Sequence, residues 1–100
     1  MSGVQLPFGT TYETVAASQT AQVLGQSGAV GDTIIRLIVT VNTALTSTVT
    51  ILDNATSIAI MPATTPVGVY SIDLGVQSVS GAWKVTTGAG ATVVAVGNFS

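Results

Sequence analysis

Between residues 32 and 42 the chain reads Asp-Thr-Ile-Ile-Arg-Leu-Ile-Val-Thr-Val-Asn, and this run constrains the fold more than any other. Its β-branched residues lose side-chain freedom in a helix and pack well on a pleated surface. Ile35, Leu37, Val39 and Val41 recur with period two, which places them on one face of a strand. The other face would carry Ile34, Arg36, Ile38 and Thr40, so it too is half apolar. A strand apolar on both faces is central, or has its outer face covered.

The rest of the chain repeats this design in shorter pieces. Pro7 and Gly9 oppose regular structure, so residues 1–10 read as an extended N-terminal arm ahead of one domain over residues 11–100. Residues 11–17 and 20–24 are weak strands; residues 15–24, with their Ala and Gln, are the one stretch where a helix competes, and strand is preferred. Gly25, Gly28 and Gly31 punctuate a loop. Residues 47–52 and 57–61 form a hairpin about the turn Asp53-Asn54-Ala55-Thr56, since Asx residues tolerate tight and left-handed backbone. Pro62 and Pro66 bracket a loop, and strands follow over residues 67–74, 76–79, 82–87 and 91–99. About seven to nine short strands at this spacing predict an all-β protein, a β-sandwich or jelly roll. The apolar phase of each strand predicts a core of Ile35, Leu37, Val39, Val49, Ile51, Trp83, Val85, Val94 and Val96.

Only 6% of the residues are charged, against roughly 25% in an ordinary soluble domain, while 47% are apolar. A lone monomer keeps its surface charged to avoid association, so part of this surface is expected to be covered in the working state. Two basic residues cannot neutralise many phosphates, which argues against nucleic-acid binding and against docking on anionic membranes. The apolar run from Ile34 to Val41 contains Arg36 and falls far short of the roughly 18 residues of a membrane span. The N-terminus lacks the basic start and apolar core of a signal peptide, so the expectation is a protein made in a cytoplasm.

The residue types that carry chemistry are scarce. There is no histidine and no cysteine, so no Ser-His pair, no His-ligated metal and no thiolate site can form. Asp53 and Asp73 are the default candidates for a carboxylate pair, but Asp53 reads as a turn residue and Asp73 as a capping group at a strand end before Gly75. Asp53-Asn54 is too sparse for calcium, and the spaced glycines 25, 28 and 31 lead into a strand rather than the helix a phosphate site needs. Asn54-Ala55-Thr56 and Asn98-Phe99-Ser100 match a glycosylation sequon, which matters only in a secreted chain. Lys84 reads as a solvent-facing strand residue. Trp83 alternates in phase with Val85 and reads as a core anchor, although an exposed Trp would serve as a sugar-stacking platform. The expectation is therefore no enzyme, no cofactor and no metal.

The C-terminal run Ser78-Val79-Ser80-Gly81-Ala82-Trp83-Lys84-Val85-Thr86-Thr87-Gly88-Ala89, followed by Ala91 to Phe99, resembles the ending of small tailed-phage virion proteins of the capsid decoration (cement) or head-fibre type. The segment Gln22-Val23-Leu24-Gly25, with Gly28-Ala29-Val30-Gly31-Asp32 running into an apolar strand, is similar to their first half. The resemblance covers about residues 12 to 100 and rests on glycine and turn positions and one Trp. Where that group has Asp-Gly in its middle hairpin, this chain has Asp53-Asn54. The resemblance implies a β-sandwich, often trimeric, seated on the outside of a phage head at local three-fold sites.

On this reading the partner is the major capsid protein or another virion protein, and the protein is a homo-oligomer of the virion, with a trimer favoured. A fibre, neck or tail component is the alternative. A carbohydrate-binding module using Trp83, Tyr12 and Tyr70 is a third. The expected contact residues are Leu6, Pro7 and Phe8 of the arm, which are apolar in a segment too irregular to fold alone, and Ile34 and Ile38 on the second face of the long strand.

Overall fold

A computed structural model describes residues 11–26, 28 and 30–99. Leu6, Pro7 and Phe8 therefore lie outside the described residues. Eight strands succeed one another with no helix among the described residues: β1 (Thr11–Val15), β2 (Gln22–Val23), β3 (Thr33–Val41), β4 (Val49–Asp53), β5 (Thr56–Met61), β6 (Gly68–Gln77), β7 (Trp83–Thr86) and β8 (Ala91–Asn98). They form two antiparallel four-stranded sheets of order β1-β8-β3-β6 and β2-β7-β4-β5. The first strand pairs with the eighth, the second with the seventh, the third with the sixth and the fourth with the fifth. The chain is thus one long hairpin, folded at the β4–β5 turn and rolled into two layers, which is the jelly-roll arrangement.

The tip of that hairpin is made by Asn54 and Ala55. Asn54 takes φ 57, a left-handed conformation that Asn tolerates because its short side chain hydrogen-bonds locally. At the opposite end of the molecule the crossing loops are tied by backbone bonds, including Leu45 N–H to the Thr65 carbonyl at 3.0 Å and Ser18 N–H to the Gly88 carbonyl at 2.7 Å.

The core lies between the sheets. Leu37, Val39, Val49, Ile51, Trp83 and Val85 are buried as the alternation predicts. The Trp83 indole N–H donates to the Asp32 carbonyl at 2.9 Å, so its one polar group is satisfied inside the protein. Residues 15–24 contain no helix; Val15 ends β1, and the weak strand expected at 20–24 shortens to Gln22 and Val23.

Three of the predicted core positions are wrong in phase. Ile34, not Ile35, faces inward, and Ile34 is fully buried. The cause is a bulge: Ile34 pairs with Gly97 and Arg36 with Val96, so β3 carries one extra residue against β8. Val94 and Val96 are half-buried on the outer face, while Ala91, Val93, Ala95 and Gly97 point inward. β8 is second in its sheet, as β7 with Trp83 is second in the facing one, and small inner residues leave room for large ones opposite. Gly97 also sits hard against β3, where an added Cβ would meet the Thr33 carbonyl oxygen and lie 3.1 Å from the Ile34 Cα.

The strands expected at 67–74 and 76–79 are one continuous β6 that bends at Gly75. Asp73 pairs with Arg36 and Val76 with Ile34, so β6 spends two residues, Leu74 and Gly75, where β3 spends one. Gly75 takes φ +68, a conformation that L side chains rarely adopt, and so permits the second bulge beside the first.

Leu37→Ala is expected to destabilise the protein by about 2–5 kcal/mol, and Val94→Ala by under about 1 kcal/mol. Urea unfolding of the two variants tests the phase of each strand. Gly97→Ala removes no contact, yet overpacking against β3 is expected to cost about 1–3 kcal/mol in the same assay.

Candidate docking surface

The strand registers assemble a continuous outer face on the β1-β8-β3-β6 sheet. One row across it is Tyr12, Val96, Arg36 and Asp73; the next is Thr14, Val94, Ile38 and Ser71; a third continues with Thr92, Thr40 and Val69. Tyr12 and Val69 are about two-thirds exposed, at 68% and 69%, and Ile38, Val94 and Val96 are half-buried by their neighbours. The charges on this face are Arg36 and Asp73, joined by the Arg36 Nε–H donating to Asp73 Oδ1 at 2.9 Å. Both side chains are open to solvent, so the pair adds little stability, but it leaves the face without net charge. Asp73 is therefore an ion-pair partner in mid-strand rather than a capping group.

Of the two strand residues expected to make contacts, Ile38 stands in the middle of this face and Ile34 does not. The bulge turns Ile34 into the core, which removes it from any docking surface. Tyr12, Val94, Val96 and Val69 join the face instead. The alternation along β8 places Val94 and Val96 in the core, and the structure puts them on this outer face instead.

A second exposed apolar cluster lies at the pole where β1 begins and β8 ends. Val30, Val76 and Val79 are exposed there, at 61%, 38% and 78%. Two buried aspartates organise the loops that present it. The Asp32 carbonyl accepts from Ser78 N–H as well as from the Trp83 indole, both at 2.9 Å. The Asp53 carboxylate accepts backbone N–H groups from Val79 at 2.9 Å, Ser80 at 3.1 Å and Gly81 at 3.2 Å. The Val79 bond does most to hold the Asp53 carboxyl below the usual aspartate range; burial opposes it, and the Ser80 and Gly81 bonds lower it further. Asp53 therefore shapes more than its own turn, since it fastens a loop distant in sequence.

The other chemistry-bearing residues are similarly engaged. Glu13 accepts the Gly25 N–H at 2.8 Å. No group of three His, Cys, Asp or Glu that could hold a metal ion occurs among the described residues. Lys84 lies on the outer face of the other sheet, opposite Leu52 and Val23. Trp83 is buried and cannot stack on a sugar, and the half-buried Tyr70 donates its hydroxyl to the Pro66 carbonyl at 2.8 Å. Of the three aromatics considered for a carbohydrate platform, Tyr12 alone is largely exposed. A shallow recess of about 150 Å³ is lined by Thr43, Ala44, Thr46, Ala89 and Gly90, with no charge or aromatic ring. No helix of the described residues is long and apolar enough to cross a membrane.

No family model, curated protein or solved structure matches this chain.

Stability should respond to Asp53 protonation. A carboxyl whose value is lowered on folding stabilises the fold fully above the ordinary aspartate value, and that stabilisation is lost as pH falls through the lowered native value. Denaturant midpoints are therefore expected to drop below about pH 4. In Asp53→Asn the midpoint is expected to be lower at neutral pH, with a flatter acid limb, because an amide cannot replace a carboxylate accepting three N–H groups.

Proposed function

We propose that this protein is a phage capsid decoration protein: a structural, non-catalytic component that binds the outside of the head and holds neighbouring capsomers together. The observation that carries the reading is the outer face of the β1-β8-β3-β6 sheet. It is broad, built of Val, Ile, Thr and Tyr, and its one Arg and one Asp neutralise each other. Such a face meets a protein surface through apolar and backbone contacts, at about 25 cal/mol per Å² of apolar area removed from water. Repeated over many copies, a modest footprint per subunit resists outward pressure on the shell.

Two further points support the reading. The jelly roll is an architecture that viral capsid domains use, although fold alone does not assign function. The C-terminal resemblance to small virion proteins falls on β7 and β8, which lie in the interior of the two sheets, β7 between β2 and β4 and β8 between β1 and β3. The partner would be the major capsid protein, met through the outer face around Ile38 and through Leu6, Pro7 and Phe8.

Binding to undecorated particles is expected to vary little between low and high salt, since few charges are available to screen over roughly 8–10 Å. Deleting residues 1–9 should weaken binding while far-ultraviolet circular dichroism stays that of a β-protein. Ile38→Lys should do the same by placing a charge in the middle of the face. Co-sedimentation with particles measures all three, and binding abolished by moderate salt would overturn the proposal. Copy number per particle separates decoration, with hundreds of copies, from a fibre, neck or tail component, with a dozen or fewer.

A further inference from the structure

The two sheets end on one flank with strands paired on a single side. β6 closes the β1-β8-β3-β6 sheet and β5 closes the β2-β7-β4-β5 sheet. They share that flank, because the opposite edges β1 and β2 are tied to each other by Gln22 Nε2–H to the Thr14 carbonyl at 3.1 Å and by the Glu13–Gly25 bond. Among the described residues β6 pairs with β3 alone, and it is ten residues long. Proteins usually blunt such an edge with lysine, proline, a bulge or a covering loop. The Gly75 bulge does this for the far end of β6. From Gly68 to Leu74 none of the described residues does: this stretch has no proline and no lysine, and its one charge, Asp73, is neutralised by Arg36 within the same subunit.

The side chains on this flank are also incompletely covered. Tyr70, Ile72 and Leu74 point inward from β6 but are only partly buried, as is Ile60 on β5, and Ile58 is 41% exposed. Among the described residues the flank therefore combines an unpaired strand edge with apolar side chains only partly covered beside it.

We propose that β6 pairs antiparallel with β6 of a second copy about a two-fold axis at Ser71, joining two four-stranded sheets into one of eight. An antiparallel edge is self-complementary under a two-fold axis, as an isologous interface requires. With Ser71 opposite the partner's Ser71, Tyr70 faces Ile72 of the partner subunit and Val69 faces Asp73 of the partner subunit. The two Asp73 carboxylates then stand four residues apart along the strand, about 13 Å, each beside its own arginine, so no like charges meet. The regular edge is about 24 Å long and the flank about 20 Å wide, which gives roughly 500 Å² per subunit and 1,000 Å² in all. That area is at the lower limit for a specific interface, so the dimer is expected to be weak and reversible. This two-fold pairing differs from the trimer that the resemblance implies, and it does not depend on the decoration reading.

The chain has no cysteine, which makes a direct test possible. In antiparallel strands, directly opposed residues have Cα atoms about 4.5–5.5 Å apart, within the range a disulfide spans. Under mild oxidation of the full chain, Ser71→Cys is expected to give a disulfide dimer in high yield. Val69→Cys, whose two copies would lie about 13 Å apart, is expected to give little. Sedimentation of the unmodified protein from low micromolar to near-millimolar concentration is expected to show a monomer–dimer equilibrium. Ser71→Lys, at an exposed position, should shift it to monomer with unchanged circular dichroism. Equal cross-linking at positions 69 and 71, or an oligomer of any order insensitive to Ser71→Lys, would overturn the pairing. So would a monomer at every concentration, which would leave the edge to an extended segment of another protein. Particle binding is scored separately, so loss of one property does not imply loss of the other.

Discussion

Nested antiparallel pairing is the constraint on which this fold depends. No strand is held by a neighbour in sequence alone except across the β4–β5 turn; every other partner comes from far along the chain, up to the pairing of Thr11 with Gly97. Because each turn of the roll must match the one inside it, a one-residue slip anywhere would turn a strand's inner side chains outward. The two bulges at Ile35 and Gly75 lie side by side for this reason. β3 gains a residue against β8, and β6 gains one against β3, so pairing resumes beyond the bulges with Ile34 opposite both Gly97 and Val76.

Where alternation is uninterrupted and both candidate faces differ in bulk, the sequence was readable. Leu37, Val39, Val49, Ile51, Trp83 and Val85 were all assigned inward on that ground, and the sandwich or jelly roll followed from strand count and spacing. Where bulk misleads, the reading failed. Along β8 Val94 and Val96 face out, while Val93 and the small Ala91, Ala95 and Gly97 face in, so side-chain size does not mark the inner phase. Periodicity also cannot register a bulge, which moved Ile34 out of the candidate contact set. Asp73 was misread for a related reason: Gly75 looks like a strand end in sequence but is a bend within a longer strand.

Scarcity of charge gives the few charged groups specific work. Asp53 fixes the loop from Val79 to Gly81, Glu13 fixes Gly25, and Arg36 and Asp73 cancel on the outer face. Apart from Lys84, the remaining polar side chains of the surface are mostly hydroxyl and amide, which hydrate well yet shed water at modest cost when a protein surface approaches. The outer face around Ile38 was partly legible, since the second apolar phase of residues 32–42 pointed to a covered surface. Its breadth was not, because it arises only when β1, β8 and β6 are brought alongside.

The position of β8 has a consequence for synthesis. Of the eight described strands, the one latest in sequence lies inside its sheet, between β1 and β3, rather than at an edge. Until it emerges, β1 and β3 have no partner in common, and the nascent chain offers several unpaired edges at once. Chains lacking β8 would present those edges to one another instead of forming a smaller sandwich. Insertion of β8 between β1 and β3 is thus the step that closes the domain as one unit.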